Sequence, residues 1–580
     1  MTDQRNLILA IALSVAIMLG FEFLFPKPPA PPPAPQTVQQ ATPADGSAPA
    51  ASAGQVPLPG QLPGMAAPGP GQAMTRAQAV QAVPRIRINT PSLHGSIALK
   101  GGLIDDLTLV GFHETPDQKS PEIVLLSPPG TAQPYFVETG WVASGPGLAV
   151  PGADTMWTAA SQGPLTPESP VTLTWNNGQG LRFTRIFRVD RDYMFTIDQR
   201  VENLGTAPVT LLPYSLISRG GRPKTEDFYI LHEGPMGVLQ GRLKEFSYGD
   251  IDEAEGGKVQ DKTTGGWIGI TDKYWLTALI PDQKKEVAVR FSHFRNEGGQ
   301  KYQVDYLGQP VTVAPGANAE FSGRVFAGAK KVALMDAYTD DLGIERFDLA
   351  IDFGWFYFLT KPFFYLLTYL NAALGNFGLA IMAITVLVKL LFFPLANKSY
   401  KSMSKMKALQ PEVKKLQERF GGDKMRLQQE MMALYKKSKV NPVSGCLPIV
   451  IQIPVFFALY KVLFVALEMR HAPFYGWVHD LSAPDPTSLF NLFGLIPWTP
   501  PLFLMIGVWP IIMGITMFLQ QKLNPQPADP MQAKMFMILP VVFTFMLASF
   551  PAGLVIYWSW SNLLSILQQW VIMRRMGVKV

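Results

Sequence analysis

Residues 376–396, NFGLAIMAITVLVKLLFFPLA, hold one charge, Lys389, in an otherwise apolar run. As a helix this run is long enough to cross about 30 Å of hydrocarbon, which takes roughly 20 apolar residues. Similar runs follow at about 443–467, 502–521, 535–550 and 554–573, and another lies at 6–25, NLILAIALSVAIMLGFEFLF, with Glu22 as its one charge. That first run is longer than the roughly 7–15 residues of a signal-peptide core, and a Pro-rich stretch stands where a small-x-small cleavage site would be. An uncleaved anchor is therefore expected. Six transmembrane helices make the expected class a polytopic α-helical membrane protein. Composition agrees, with 48% apolar and 16% charged residues, where a soluble chain carries about 25% charged.

Charge orients the spans. The chain has a net charge of +6, yet residues 397–440 hold twelve Lys/Arg against four Asp/Glu, so the rest is close to neutral. Cytoplasmic loops carry the excess of Lys and Arg, which puts 397–440 inside. Then 468–501, with Arg470 as its only basic residue, lies outside; 522–534, bounded by Lys522 and Lys534, lies inside. Phe550-Pro551-Ala552-Gly553 turns outside, and Arg574, Arg575 and Lys579 end inside. Residues 353–371, FGWFYFLTKPFFYLLTYLN, hold nine aromatics, a Lys and Pro362. If they also crossed, the basic loop and the N-terminus could not both be cytoplasmic. They read as a helix lying flat at the outer interface, where Tyr and Trp concentrate. Both termini are then cytoplasmic.

Between the anchor and these spans the texture changes twice. Residues 26–83 are rich in Pro, Ala, Gly, Gln and Ser without one aromatic, the composition of a disordered tether that cannot bury enough surface to order itself. From 84 to 350 short alternating runs appear. LRFTRIFRV (181–189) and YMFTIDQRV (193–201) flank Asp190-Arg191-Asp192, which reads as a hairpin, and PVTLTW, PVTLLPY, KEVAVRF and PVTVAP repeat the theme. This is an all-β sandwich on the outer, periplasmic side. The expected order is an anchor at 1–25, a linker at 26–83, a β domain at 84–350, an interfacial amphipathic helix at 351–375, a five-helix core at 376–573 with a helical hairpin at 398–440, and a short basic tail at 574–580.

The chain shows no nucleophile elbow, P-loop or G-x-G-x-x-G, which points away from an enzyme. One cysteine, Cys446, excludes an intrachain disulfide framework, and the six histidines lack ligand spacing. No metal or cofactor is expected. The chemistry concentrates instead on Lys389. It precedes Lys398 by nine residues, about 13 Å of helix, deeper than a Lys side chain snorkels with ease. A charge at that depth costs a few kcal/mol or more unless it meets water or a partner, and Glu22 and Glu468 sit at the far, outer ends of their runs. A wet cavity open to the cytoplasm is the economical solution. Thr385 lies one turn before Lys389, Gln452 interrupts the third span, and Tyr557, Ser561, Ser565 and Gln568 form one stripe on the last. Ser and Thr in spans also serve helix packing, so the constellation counts for more than any member.

The 397–440 loop accommodates two helices. KSYKSMSKMKALQPEVKKLQERF runs to Gly421-Gly422, and Asp423 then caps DKMRLQQEMMALYKKSK. Met403, Met406, Met425, Met431 and Met432 give the hairpin apolar side chains that adapt to varied partners, although some must serve ordinary packing. Its basic residues suit anionic lipid heads or ribosomal RNA; no specific DNA contact is expected.

KVNPVSGCLPIVIQIPVFFALYKVL (439–463), MSKMKALQPEVKKLQERFGGDKMRLQQEMMALYK (403–436), RHAPFYGWVHDLSAPDP (470–486), DPMQAKMFMILPVVFTF (529–545) and FPAGLVIYWSWSNLLSILQQ (550–569) together resemble the YidC/Oxa/Alb insertases, over roughly 350–573. The anchor and β domain resemble the Gram-negative form, whose periplasmic domain is a β-supersandwich. The resemblance implies a bacterial inner-membrane insertase and chaperone acting on nascent membrane proteins, alone or with the Sec translocon. It also implies a hydrophilic groove with a positive residue. Lys389 holds that place where the family usually has Arg, and Tyr557-Trp558 stands where relatives often have two tyrosines. Members with long basic tails use them on ribosomes; here the loops would have to serve. A transporter or channel would call for internal repeats and several intramembrane charges, neither of which is evident, and a pure assembly scaffold leaves Lys389 without a purpose.

Overall fold

The computed structural model describes residues 73–577, apart from 162, 226–230, 297–298, 355, 421, 442–446, 497, 499, 502–503 and 525–529. The anchor expected at 6–25, most of the linker, Cys446 and the last tail residues lie outside the described residues.

The linker reading is corrected at its end. Thr75 caps a short helix, Arg76–Gln81, in a reciprocal box with Gln78, and Met74 bridges to Thr131. Arg76 pairs with Asp106. A four-residue capping signal inside a Pro/Ala/Gln-rich stretch is invisible to a reading by composition.

Two antiparallel sheets follow. The larger runs Arg85–Asn89, Leu93–Ala98, Ile104–His113, Tyr135–Ala143, Val209–Gly220, Gly299–Leu307, Glu286–Asn296, Lys258–Thr264, with two short strands paired beside it. The other runs Arg242–Glu245, Gly234–Leu239, Trp267–Thr271, Trp275–Ile280, Asn318–Ala329, Met194–Asn203, Leu181–Val189, Val171–Asn176, Thr158–Ala159. The hairpin read across Asp190–Asp192 forms, with Val189 opposite Phe195. Alternation sends Leu181, Phe183, Phe187 and Val189 inward, and both sheets feed one buried core that includes Trp141, Trp267, Tyr302 and Phe326.

Beyond the sheets the chain is helical. Tyr357–Leu374 ends at Gly375, whose φ of 69° suits a residue without Cβ. Asn376 then accepts from the Leu379 N–H at 3.1 Å and starts Phe377–Leu391, turned by 120° from its predecessor. A Cβ on Gly378 would stand 2.0 Å from the Phe474 ring, so glycine lets the helix meet the outer loop. Leu447–Val465, Val508–Leu523, Pro530–Leu547 and Ala552–Arg575 complete the bundle.

The helices differ from the apolar runs that announced them. Phe377–Leu391 has 15 residues, about 22 Å, and gives way at Phe392 to Phe393–Ala408, which Pro394 begins. No single helix among the described residues is both long and apolar enough to cross a membrane; the bent pair Tyr357–Leu374 and Phe377–Leu391 is so only together. The hairpin also starts earlier than 398, and its first arm is two helices, Phe393–Ala408 and Gln410–Phe420. Pro411 has no N–H to continue the ladder. Asp423 does cap Lys424–Lys437, accepting from the Arg426 N–H at 3.1 Å. The bundle leaves large apolar side chains bare: Leu391 is 72% exposed, and Met535, Met537, Ile538, Val541 and Phe545 all face outward on Pro530–Leu547. A continuous apolar exterior of this extent calls for lipid.

The sheets are fastened to the bundle by charge. Lys461 meets Asp352 at 2.8 Å, and Lys361 meets Asp336 at 2.6 Å and Asp348 at 3.2 Å. Glu468, whose carboxyl burial raises above its usual range, accepts the Val332 N–H at 3.1 Å and so caps Val332–Asp341. Arg470 reaches the His113 carbonyl and covers Trp275. Removing one partner of a largely buried ion pair costs more than removing both. Asp352→Ala should thus destabilise this junction by about 1–3 kcal/mol and speed tryptic cleavage within 342–356 in detergent. Adding Lys461→Met should recover part of the loss.

Candidate functional site

The site begins with Lys389 near the end of Phe377–Leu391. Its Nζ donates to Ser565 Oγ at 2.7 Å, and Ser565 Oγ donates in turn to the Ser561 carbonyl at 2.9 Å. The ammonium is thereby turned inward, while Leu387, Leu390 and Leu391 on the same helix stay on the exterior. It faces a cavity of about 600 Å³ between Leu447–Val465, Val508–Leu523, Pro530–Leu547 and Ala552–Arg575. Among the described residues, no Asp or Glu lines it.

One wall is polar. Gln452 donates to the Tyr557 hydroxyl, Asn562 donates to Thr516 Oγ at 3.4 Å, and Gln569 ties the last helix to Asn524 at 3.2 Å. Pro540 explains another polar member. Lacking an N–H, it leaves the carbonyl four residues back unpaired, and Gln521 donates to that carbonyl, on Phe536. Rings lie among these groups: Trp558 lies against Phe456 at 4.7 Å between centroids and Phe543 at 6.2 Å. The cavity lining is mostly apolar, with a few hydrogen-bonding groups and a single cation among its residues.

Of the residues singled out from sequence, Lys389, Gln452, Tyr557, Trp558, Ser561 and Ser565 line this cavity together. Thr385 does not. Its hydroxyl is spent on the Ile381 carbonyl of its own helix at 2.6 Å, and it is buried. Gln568 does not either; it lies eleven residues, about 16 Å, along the helix from Tyr557, past the cavity's end. Met403 and Met406 are buried with Tyr400, Val440 and Ile572, closing the base of the hairpin rather than offering a surface. Met425 and Met432 are exposed, and Met431 is half-buried. Gln520, Gln521, Asn524, Asn562 and Tyr400 were not legible as lining residues. The two glutamines end an apolar run and look like a helix terminus, and Asn562 stands one position off the stripe.

An apolar-coated helical bundle with a buried cation, joined to a large β-sheet domain, is the arrangement expected of an integral membrane protein. A profile described as "YidC periplasmic domain" matches residues 85–366, and one described as "60Kd inner membrane protein" matches 369–579. A protein of Methylobacterium sp. (strain 4-46) named membrane protein insertase YidC is 53% identical over 603 residues, covering 100% of this chain and 96% of its own. Namesakes in Bradyrhizobium diazoefficiens and Brucella suis biovar 1 are 52% and 51% identical, with 100% of this chain and 97% of theirs covered. A solved active YidC insertase with its first transmembrane domain resolved aligns at 18% identity and a TM-score of 0.35, over 83% of this chain and 91% of that one. The chain belongs to the YidC family, with a β-rich periplasmic domain and a helical C-terminal part.

The Gln452–Tyr557 contact gives the site a stability signature. Gln452→Leu leaves the Tyr557 hydroxyl without its donor, for a loss of about 1–3 kcal/mol. Tyr557→Phe on that background should recover most of it, since neither partner then remains unsatisfied. Thermal unfolding of the purified protein in detergent reads both; losses that simply add would break the link between the two groups.

Proposed function

We propose that this chain is a membrane protein insertase and chaperone of the bacterial inner membrane, working on nascent membrane proteins and catalysing no covalent step. Six spans with both termini in the cytoplasm carry it: an anchor at 1–25 and five helices within 376–573. The β domain stands in the periplasm, and Tyr357–Leu374 lies along the outer interface. Loop charges support this arrangement, and so does the 120° turn after Leu374. The activity is that for which the relatives are named, membrane protein insertion.

The observation that carries the mechanism is the Lys389 ammonium, set on Ser565 inside a mostly apolar cavity without a carboxylate among its lining residues. A substrate's polar or acidic flank must leave water before it crosses. A fixed cation, with the few amides and hydroxyls near it, lowers the cost of that step through favourable potential in low-dielectric surroundings. The apolar segment that follows leaves sideways along the exposed faces of the helices. Met425 and Met432, outward on the hairpin, offer adaptable first contacts. The Sec translocon is a proposed partner for larger substrates, and the basic loops are proposed contacts for lipid heads and the ribosome.

The test is insertion of one substrate into vesicles, with its tail carboxylates present or neutralised, by variants at Lys389. Lys389→Arg should keep activity. Lys389→Ala should weaken insertion chiefly of the acidic tail, by about tenfold for each 1.4 kcal/mol of lost attraction, and Lys389→Glu should be worse. Equal insertion of both tails by Lys389→Leu and the parent protein would falsify the role given to the charge.

A further inference from the structure

The outer loop before Val508–Leu523 has a feature that neither the cavity nor the β domain uses. From Pro486 to Gln521 the sequence contains no Asp, Glu, Lys or Arg. Within that stretch Phe490, Leu492, Phe493, Leu495, Ile496 and Trp498 are all exposed, Leu495 to 83%. Six large apolar side chains in nine residues form a contiguous patch of a kind that water does not tolerate.

The backbone here is built rather than loose. The Leu489 N–H donates to the Ile506 carbonyl at 2.9 Å, Phe493 N–H to Ser488 at 2.8 Å and Ile496 N–H to Asn491 at 3.0 Å. Ser488 Oγ donates to the Leu504 carbonyl at 3.0 Å, and the Asn491 amide to the Trp498 carbonyl at 3.4 Å. Leu492 and Phe493 take left-handed φ values of 49° and 59°, unfavourable for residues with a Cβ. The fold holds that conformation although it leaves both side chains on the outside. Below the loop, Asp485 accepts from the Trp509 N–H at 2.9 Å and the Trp477 indole at 3.1 Å, and Thr487 accepts from the Val508 N–H at 3.0 Å. The loop is pinned to the outer end of the helix that walls the cavity.

That helix is short. Val508–Leu523 has 16 residues, about 24 Å, against about 30 Å of hydrocarbon. Lys522 marks its inner end, so the missing length of about 6 Å falls on the outer side, where the uncharged loop sits. We infer that residues 489–496, with Trp498, form a wedge in the outer leaflet, its apolar side chains in the acyl region and its internally bonded backbone near the headgroups. It would complete the short span and fix the depth of the cavity wall. Its occupant is lipid: the patch is uncharged, adjoins the lipid-facing exterior of the bundle, and ends in a Trp, a side chain favoured at the interface. Backbone that bonds within itself is what such a depth demands. This inference rests on the membrane reading proposed above.

The experiment uses the full chain with Cys446→Ser and one new cysteine at Leu495, Ile538 or His479, each carrying the same environment-sensitive fluorophore. The protein is reconstituted into vesicles of phosphatidylethanolamine and phosphatidylglycerol that include lipids with a nitroxide high or low on the acyl chain. The label at 495 should be quenched several-fold more by the shallow nitroxide than by aqueous iodide; the label at 538 should respond to nitroxide and that at 479 to iodide. Iodide quenching at 495 equal to that at 479, with 538 still lipid-quenched, overturns the wedge and leaves the membrane reading intact. Shielding from both quenchers that is relieved by diluting the protein in lipid would assign the patch to a second copy and overturn it as well. Loss of nitroxide quenching at 538 would overturn the membrane reading and the wedge with it.

Discussion

An ammonium group held among apolar helices must have a hydrogen-bond partner or water, and in this chain that constraint falls on Lys389. A lipid-facing Lys389 would carry the full cost of a charge in hydrocarbon. Turned inward, it needs an acceptor, which Ser565 supplies, and room for solvent, which the cavity supplies. The last helix must then present its small polar residues toward Phe377–Leu391, and Ser559, Ser561, Asn562 and Ser565 are all buried. A helix carrying these residues toward lipid would leave each of them to bond only its own backbone. One charge thus fixes the rotation of two helices and the polarity of the space between them.

The remaining walls follow from what the polar side leaves undone. Pro540 frees a carbonyl and Gln521 takes it up, which joins Pro530–Leu547 to Val508–Leu523. Phe456 stacks on Tyr460 and lies against Trp558. At one end of the bundle the ion pairs of Lys461 and Lys361, with the Glu468 cap, hold the sandwich against the helices. At the hairpin end the contacts are mainly apolar, through Met403, Met406 and Ile572.

Much of this was legible in the residues because two periods carry it. Alternation marked the strands from 171 to 201, and uncharged runs marked the helical region. Lys389 stood out because nothing in its run shares its charge. What was not legible depends on contacts between segments far apart in sequence. Arg185 sits at an inward strand position that hydrophobicity would assign to an apolar residue, and there its terminal nitrogens donate to the carbonyls of Gly102 and Thr139 while the guanidinium lies over the Trp157 ring. Thr385 shares a face with Lys389 yet turns its hydroxyl into its own helix, a choice that spacing cannot reveal. The hairpin's methionines divide into buried and exposed according to where Ile572 lies, about 170 residues away. The end of the helix bearing Lys389 likewise fell inside its apolar run, since hydropathy persists past Phe392 after the helical ladder has broken.

The central claim is that a substrate's polar flank enters the cavity beside Lys389 while its apolar segment stays at the bundle's exterior. Site-specific photocrosslinking with a stalled nascent chain in native membranes addresses it most directly. A photoreactive residue at Asn562, in the cavity wall, should capture the chain through its polar flank. One at Leu563, exposed on the neighbouring face, should capture it through the apolar segment or not at all. Capture of the polar flank from Leu563 with none from Asn562 would contradict the account.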